Sequence, residues 1–265
     1  MNKFKFIVGI VLMGLCFISC EKDNSEDGNL KIKRIADNPD MENPLFTFEY
    51  GSNGLISRIT EEYLTHGCLT EITYNSNDKP IIISRKEFSD GSYFSETTKK
   101  IGWNDIGFVI YDSDSTDIDD YSLNSQENIS SMVSQTKNYS TQKFDTMNVE
   151  YYAWTDKNQC HRVLDYEAPW STEDAYAEYT YKVNNKNSPF KGIDMSILIS
   201  AIIEIGEWGV DVQNYYCLSE YIESGFSASI SYDYNKQNFP TRADISYTSE
   251  EGTWHDYLYF EYESN

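Results

Sequence analysis

Apolar and polar side chains alternate through Glu71-Ile72-Thr73-Tyr74, give way to the polar run Asn75-Ser76-Asn77-Asp78-Lys79, and resume as Pro80-Ile81-Ile82-Ile83. A period of two places Ile72 and Tyr74 on one face and Thr73 and Asn75 on the other, the signature of a strand with one face covered. Asn, Asp and Gly tolerate the left-handed backbone that reverses a chain, so the stretch predicts strand, turn, strand.

The unit returns about seven times. An aromatic or apolar residue closes the first strand, and Asn, Asp or Gly stands four residues later: Tyr50 with Gly54, Trp103 with Gly107, Trp154 with Asn158, Val183 with Asn187, and Tyr234 with Asn238. Tyr121-Ser122-Leu123 before Asn128 is a degenerate copy. Pro80, Pro189 and Pro240 follow the turn position by two; having no N–H, they belong at the mouth of a hairpin rather than in the middle of its ladder.

These hairpins predict an all-β fold: one large antiparallel meander, barrel-like or strongly curved, of roughly 14 strands. Residues 30–265 form a single domain with one interruption, a helical insertion at about 190–222. There, residues 193–206 are rich in Ile, and as a helix they would align Ser196, Ser200 and Glu204 on one stripe, leaving the rest apolar; a buried strand is the competing reading, since Ile favours sheets. A segment of that kind is expected inside the curved sheet, supplying core that a sheet of this width cannot fill with its own side chains.

The N-terminus reads separately. Residues 1–19 carry Lys3 and Lys5, then an apolar run, then Ser19, as a secretory signal does. Phe17-Ile18-Ser19-Cys20 resembles the lipobox of bacterial lipoproteins, with Phe17 where Leu is usual, and implies lipidation of Cys20. The tether of residues 20–29 is acidic and resembles the export signal of surface lipoproteins, which implies an outer-membrane anchor facing the cell surface, with the periplasmic face as the alternative. Acidic residues number 43 against 21 basic; without Lys3 and Lys5 the net charge is about −24, which repels phosphate backbones and excludes nucleic acid as a partner.

The lipid-anchor signal, the turns from Tyr74 to Pro80 and from Tyr234 to Pro240, and Asn187-Ser188-Pro189-Phe190 carry a resemblance. The hairpins resemble YD-type repeat proteins, and nearly the whole chain is similar to a family of lipoproteins of unknown function with a porin-like β fold. The resemblance implies a fold and an anchor, and it brings no catalytic residues with it.

Candidate chemistry is sparse. Asp112, Asp114, Asp117 and Asp119 suggest a Ca²⁺ loop, but Asp117 stands where an EF-hand needs Gly and Leu123 where it needs Glu. His66, Cys68, Cys160 and His161 are zinc-ligand types, yet neighbours on a strand point apart. Of Cys68, Cys160 and Cys217 at most one pair can form a disulfide, and spacing does not choose it. Trp170, Trp208 and Trp254 fall outside the clearest repeat register and are the candidate ligand contacts. With three His, no nucleophile elbow and no phosphate loop, no catalytic group and no cofactor is expected. The expected function is a surface-anchored, non-enzymatic binding or envelope-associated module with a glycan or protein partner. A carbohydrate-active hydrolase on the same scaffold is the competing class, to be recognised by Trp170 and Trp254 gathered around two carboxylates.

Overall fold

The computed structural model describes residues 30–63, 66–123, 129–156, 159–166, 175–198, 200 and 216–264. Among them run sixteen strands. The first eight are β1 (Leu30–Ala36), β2 (Phe46–Tyr50), β3 (Ile56–Tyr63), β4 (His66–Tyr74), β5 (Pro80–Ser89), β6 (Ser92–Trp103), β7 (Gly107–Asp112) and β8 (Asp117–Leu123). The rest are β9 (Ile129–Lys137), β10 (Phe144–Asp156), β11 (Gln159–Tyr166), β12 (Ala175–Asn187), β13 (Tyr216–Glu223), β14 (Phe226–Tyr234), β15 (Pro240–Ser249) and β16 (Gly252–Ser264). Every strand pairs antiparallel with its sequence neighbours, and β1 pairs with both β16 and β2, so the strand order closes into a barrel. The β1–β2 seam is narrow, resting on Arg34 opposite Thr47 and Ile35 opposite Phe46. The seven hairpins occupy β2 to β15; β1 and β16 flank them and pair across the seam, which raises roughly fourteen strands to sixteen.

Because the chain reverses at each turn, the barrel has two distinct rims. The near rim carries Leu30, Ser264 and the connection from β12 to β13; the far rim carries the turns that follow the odd-numbered strands. The inward phase is apolar: Ile35, Phe108, Tyr121, Ile129, Ala243 and Tyr247, spread around the wall, are almost wholly removed from solvent. A circular sixteen-stranded barrel would leave its inner wall wet. This interior is filled instead, by facing side chains and by the segment entering from Phe190, whose ring lies 5.9 Å from that of Phe48.

The outward phase is charged. Arg58 reaches Glu49 at 3.6 Å and Glu71 at 3.1 Å across β2, β3 and β4, Lys86 reaches Glu71 at 3.5 Å, and Arg34 pairs with Glu261. On β14, Ser227, Ser229, Ser231 and Asp233 alternate with inward Ala228, Ile230 and Tyr232.

The repeat's turns have one geometry. Asp78 (φ 58°), Asn238 (φ 61°) and Gly54 (φ 78°) hold the left-handed position four residues after their aromatic. Asn75 Oδ1 accepts the N–H groups of Asn77 and Lys79, and Asn235 Oδ1 those of Gln237 and Phe239, so each hairpin carries its own Asx clasp. Two units depart. After Trp103 the loop is one residue shorter, with Asn104 N–H bonding Gly107 O where Asn75 N–H bonds Lys79 O, so Gly107 begins a strand. Asn187, expected in a turn, extends β12 and pairs with Tyr216; the reversal comes at Ser188 to Lys191 instead. The turn around Asn158 and the loop at 124–128 lie outside the described residues.

The repeat's aromatics close the near rim. Tyr50 Oη donates to Ile32 O at 2.8 Å, Tyr74 Oη to Ile56 O at 2.7 Å, Trp103 Nε1 to Pro80 O at 2.8 Å and Tyr262 Oη to Pro240 O at 2.8 Å. The last three rings thus satisfy the carbonyl that opens a strand, and Tyr50 one near the start of β1. Burial, with the charges of Glu263 at Tyr50 and of Asp194 at Tyr74, pushes both phenols well above the ordinary tyrosine range.

Within the insertion expected at 190–222, the described helix is one turn, α1 (Met195–Ile197), and β13 resumes at Tyr216. Ile197 and Leu198 are buried, as the apolar pattern requires, and Asp194 pairs with Lys79 of the rim at 3.5 Å. Residues 201–215 lie outside the described residues.

Candidate functional site

The near rim carries the repeat's aromatic clasps and the described start of the insert, with Phe190, Ile197 and Leu198 buried, while the polar and charged inward side chains lie in the far half. Two kinds of wall face each other there, and both follow from strand phase.

On β12 to β16 the inward positions nearest the far rim are aromatic. Tyr179 stacks on Tyr221 at 6.2 Å, Tyr221 meets Phe226 edge-on at 5.9 Å, and Phe226 lies 6.0 Å from both Tyr247 and Trp254. Tyr247 and Trp254, opposite one another on β15 and β16, stack with nearly parallel planes at 5.4 Å. Asp256 follows Trp254 on the same face, opposite Ile245. Burial, and then the neighbouring Asp37 carboxylate, push its pKa above the usual carboxylate range. Tyr247 is fully buried, its hydroxyl has no hydrogen-bond partner among the described residues, and desolvation with the Asp256 charge drives its pKa far up.

The opposite wall is charged. On β5 the phase of Ile83 continues through Arg85 and Glu87. Arg85, 7% exposed, donates Nη2 to Cys68 Sγ at 3.0 Å and reaches Glu61 at 3.5 Å and Glu87 at 3.4 Å. An arginine between two carboxylates satisfies the burial rule for charge. Cys68 is a free thiol; burial and then the Glu61 charge push its pKa up to about 11, so it rests as S–H and is a poor nucleophile. Further round, Glu150 accepts from Tyr152 Oη at 2.6 Å and Asn148 Nδ2 at 3.3 Å, Asp119 accepts from Ser134, and Asp117 from Thr136 at 2.7 Å.

The acidic run divides by phase and turn. Asp117 and Asp119 are strand residues engaged by hydroxyls of β9, while Asp114 caps its own turn by accepting from Thr116 N and Oγ1, which lowers its pKa. Asp112 sits opposite Lys99. Among the described residues no group of three or more His, Cys, Asp or Glu gathers in a way that could hold a metal ion. The zinc set does not come together: His66 and Cys68 are on β4, Cys160 and His161 on β11, with six strands between them along the sheet. Cys160 and Cys217 sit on β11 and β13 with β12 between. Two strand spacings alone separate their Cα atoms by about 9–10 Å, and the register adds an offset along the strands, since Cys160 lies level with Tyr221 rather than Cys217, so they stand well beyond the ~7 Å limit for a disulfide.

Of the three tryptophans, Trp254 joins the aromatic wall; Trp170 and Trp208 lie outside the described residues, as does Cys20. The test for a hydrolase, Trp170 with Trp254 around two carboxylates, therefore has one partner in view, beside Asp256. Sequence reading missed Tyr179, Tyr221, Phe226 and Tyr247 as a cluster because each looked like ordinary repeat core. It also missed Arg85, although a charge in the phase of Ile83 was a legible signal.

No family model matches the chain, and no curated protein matches it. Among solved structures it is similar to a porin-like protein from Bacteroides uniformis ATCC 8492, with 12% identity and a TM-score of 0.43 over 78% of this chain and 95% of that one. It is also similar to a porin-like protein from Bacteroides vulgatus ATCC 8482, with 10% identity and a TM-score of 0.43 over 89% of this chain and 99% of that one.

Proposed function

We propose that the protein is a non-enzymatic, envelope-associated binding module: a β-barrel that stands in water, held to the outer membrane by lipid on Cys20 and displayed at the cell surface. The observation that carries this reading is the polarity of the wall. A pore that crosses lipid turns an apolar band outward and a polar lumen inward; here the apolar residues fill the interior and ion pairs such as Arg58 with Glu49 and Glu71 cover the outside. Leu30 and Ser264 both end at the near rim, so a tether from Cys20 leaves the far rim, with its aromatic and charged walls, directed away from the lipid.

The test is in two parts on the full chain. Cys20→Ala should move the protein from the membrane fraction to the soluble fraction, and wild-type protein added to planar bilayers should give no conductance. A stable single-channel conductance, or a Cys20→Ala protein that stays embedded after carbonate washing, would overturn the reading. Surface display is tested separately: neutralising Glu21 and Asp23 should protect the protein from protease added to intact cells, and unchanged digestion would remove that part of the proposal.

A further inference from the structure

The barrel closes over only part of its height, because strands of unequal length are staggered around it. β6 pairs with β5 from Ser92 opposite Ser89 to Lys100 opposite Ile82, with one bulge at Phe94. With β7 it pairs only from Lys99 to Trp103. Residues 92–98 therefore rise about 23 Å above the β7–β8 turn, and among the described residues no strand pairs with their outer edge. Tyr93 and Phe94, at the tip of this hairpin, are 60% and 72% exposed.

A strand edge of that length with unpaired N–H and C=O groups is a template for another strand. Natural edges are blunted by Pro, bulges or inward charges. This one has no Pro; its bulge lies at the hairpin tip, where Phe94 is the extra residue, so residues 95–98 below it are regular, and its two most exposed side chains are aromatic. The vacancy also has a floor and a far side. The floor is the β7–β8 turn, with Asp112 and Asp114, and Asp117 opening β8. Across it stands the β9–β10 hairpin, with exposed Tyr139 at its tip. From β6 to β9 is three strand spacings, about 14 Å, room for an added strand beside β6.

We propose that residues 92–98 take up an extended, basic segment of a partner protein as an added strand, hydrogen-bonded along β6, with its cationic end on the Asp112–Asp114–Asp117 floor. Charge decides among occupants. A second copy would bring Glu96 and another acidic floor to the same place on a chain of net charge −22, and an anionic lipid surface meets the same repulsion. Asp112, Asp114, Asp117, Glu96 and Asp145 outnumber Lys99, Lys137 and Lys143 around the notch, which leaves it acidic on balance, and the hydrogen bonds from Thr116 lower the pKa of Asp114.

The inference deepens the binding-module reading, and its test is independent of anchoring and conductance. The probe is a fluorescein-labelled peptide of alternating Val and Thr ending in two Lys, titrated against the full chain in mild detergent. Binding should be saturable, and hydrogen exchange should slow at residues 92–98. Placing Pro at the centre of the peptide, or exchanging its two Lys for Glu, should each weaken binding at least tenfold. Phe94→Lys, at a side chain exposed enough to leave the fold intact, and Asp114→Asn with Asp117→Asn should do the same. No binding, binding without protection at 92–98, or equal binding of the Pro peptide would overturn the proposal. So would protection of 92–98 that grows with protein concentration in the absence of peptide, which marks a second copy. Co-sedimentation with phosphatidylcholine–phosphatidylglycerol vesicles that Phe94→Lys alters would likewise overturn it, by marking a lipid surface.

Discussion

Gly107→Ala tests the packing of the sheet at a point where the sequence pattern suggested a turn. Gly107 has no left-handed φ; it opens β7 opposite Ser122, and a Cβ there would stand 1.9 Å from Tyr121 O, 2.9 Å from Tyr121 C and 3.2 Å from Ser122 Cα. All three are backbone atoms, so no side-chain rotation relieves the clash. Ordinary contact requires β7 and β8 to part by about 1.3 Å in a close-packed interior. That movement opens the 2.7 Å bond from Leu123 N to Ile106 O and slides the Phe108–Tyr121 stack, whose ring centroids are 5.0 Å apart. The cost should be about 3 kcal/mol, the upper range for overpacking with a damaged backbone bond. For a domain of this size that lowers Tm by roughly 6–12 °C. Gly91→Ala is the control: its φ is 74° and nothing lies within 4 Å of the added methyl, so only the left-handed backbone is penalised, at about 1 kcal/mol. Thermal unfolding followed by circular dichroism in the β region compares the two. A Gly107→Ala protein within about 2 °C of wild type, or no worse than Gly91→Ala, would refute the close approach.

The near-rim clasps make stability alkali-sensitive. Tyr50 and Tyr74 bind their protons more tightly when folded than the ordinary phenol does, so above about pH 10 the unfolded chain binds fewer protons and stability falls as pH rises. Tyrosinate absorbance from these rings should therefore appear together with loss of the β-sheet signal; full ionisation of a still-folded protein near pH 10 would contradict this. Tyr74→Phe leaves Ile56 O without its donor and should cost about 1 kcal/mol in urea unfolding, with the midpoint shifting at constant slope. Arg85→Ala removes the cation between Glu61 and Glu87 at the charged wall and should cost about 2–3 kcal/mol, less than a fully buried pair because Glu87 is partly solvated and keeps its bond from Ser95. Cys68, with its pKa pushed up to about 11, should react with a disulfide reagent at pH 8 far more slowly than a free thiol; a wild-type minus Cys68→Ser difference as fast as free cysteine would refute its burial.

The hairpin unit was legible because its determinants are local. Alternation fixed which residues of β4 and β14 face inward, and Asp78 and Asn238, four residues after their tyrosines, fixed two turns. Where the local rule met an exception it erred: Gly107 is glycine because a neighbouring backbone approaches, and Asn187 continues a strand because Tyr216 is available to pair with it. Nothing within a few residues of either position carries that information.

From the amino-acid order alone came the strand phase, the acidic and apolar faces and the site of interruption near residue 190, since each depends on side chains a few positions apart. Closure through the two-pair β1–β2 seam, the assembly of five aromatic rings from β12 to β16 opposite Arg85 and its carboxylates, and the β6 edge that no strand covers among the described residues were settled only in three dimensions. These depend on how far each strand is staggered against the next, a quantity that accumulates around the whole barrel and that no single hairpin specifies.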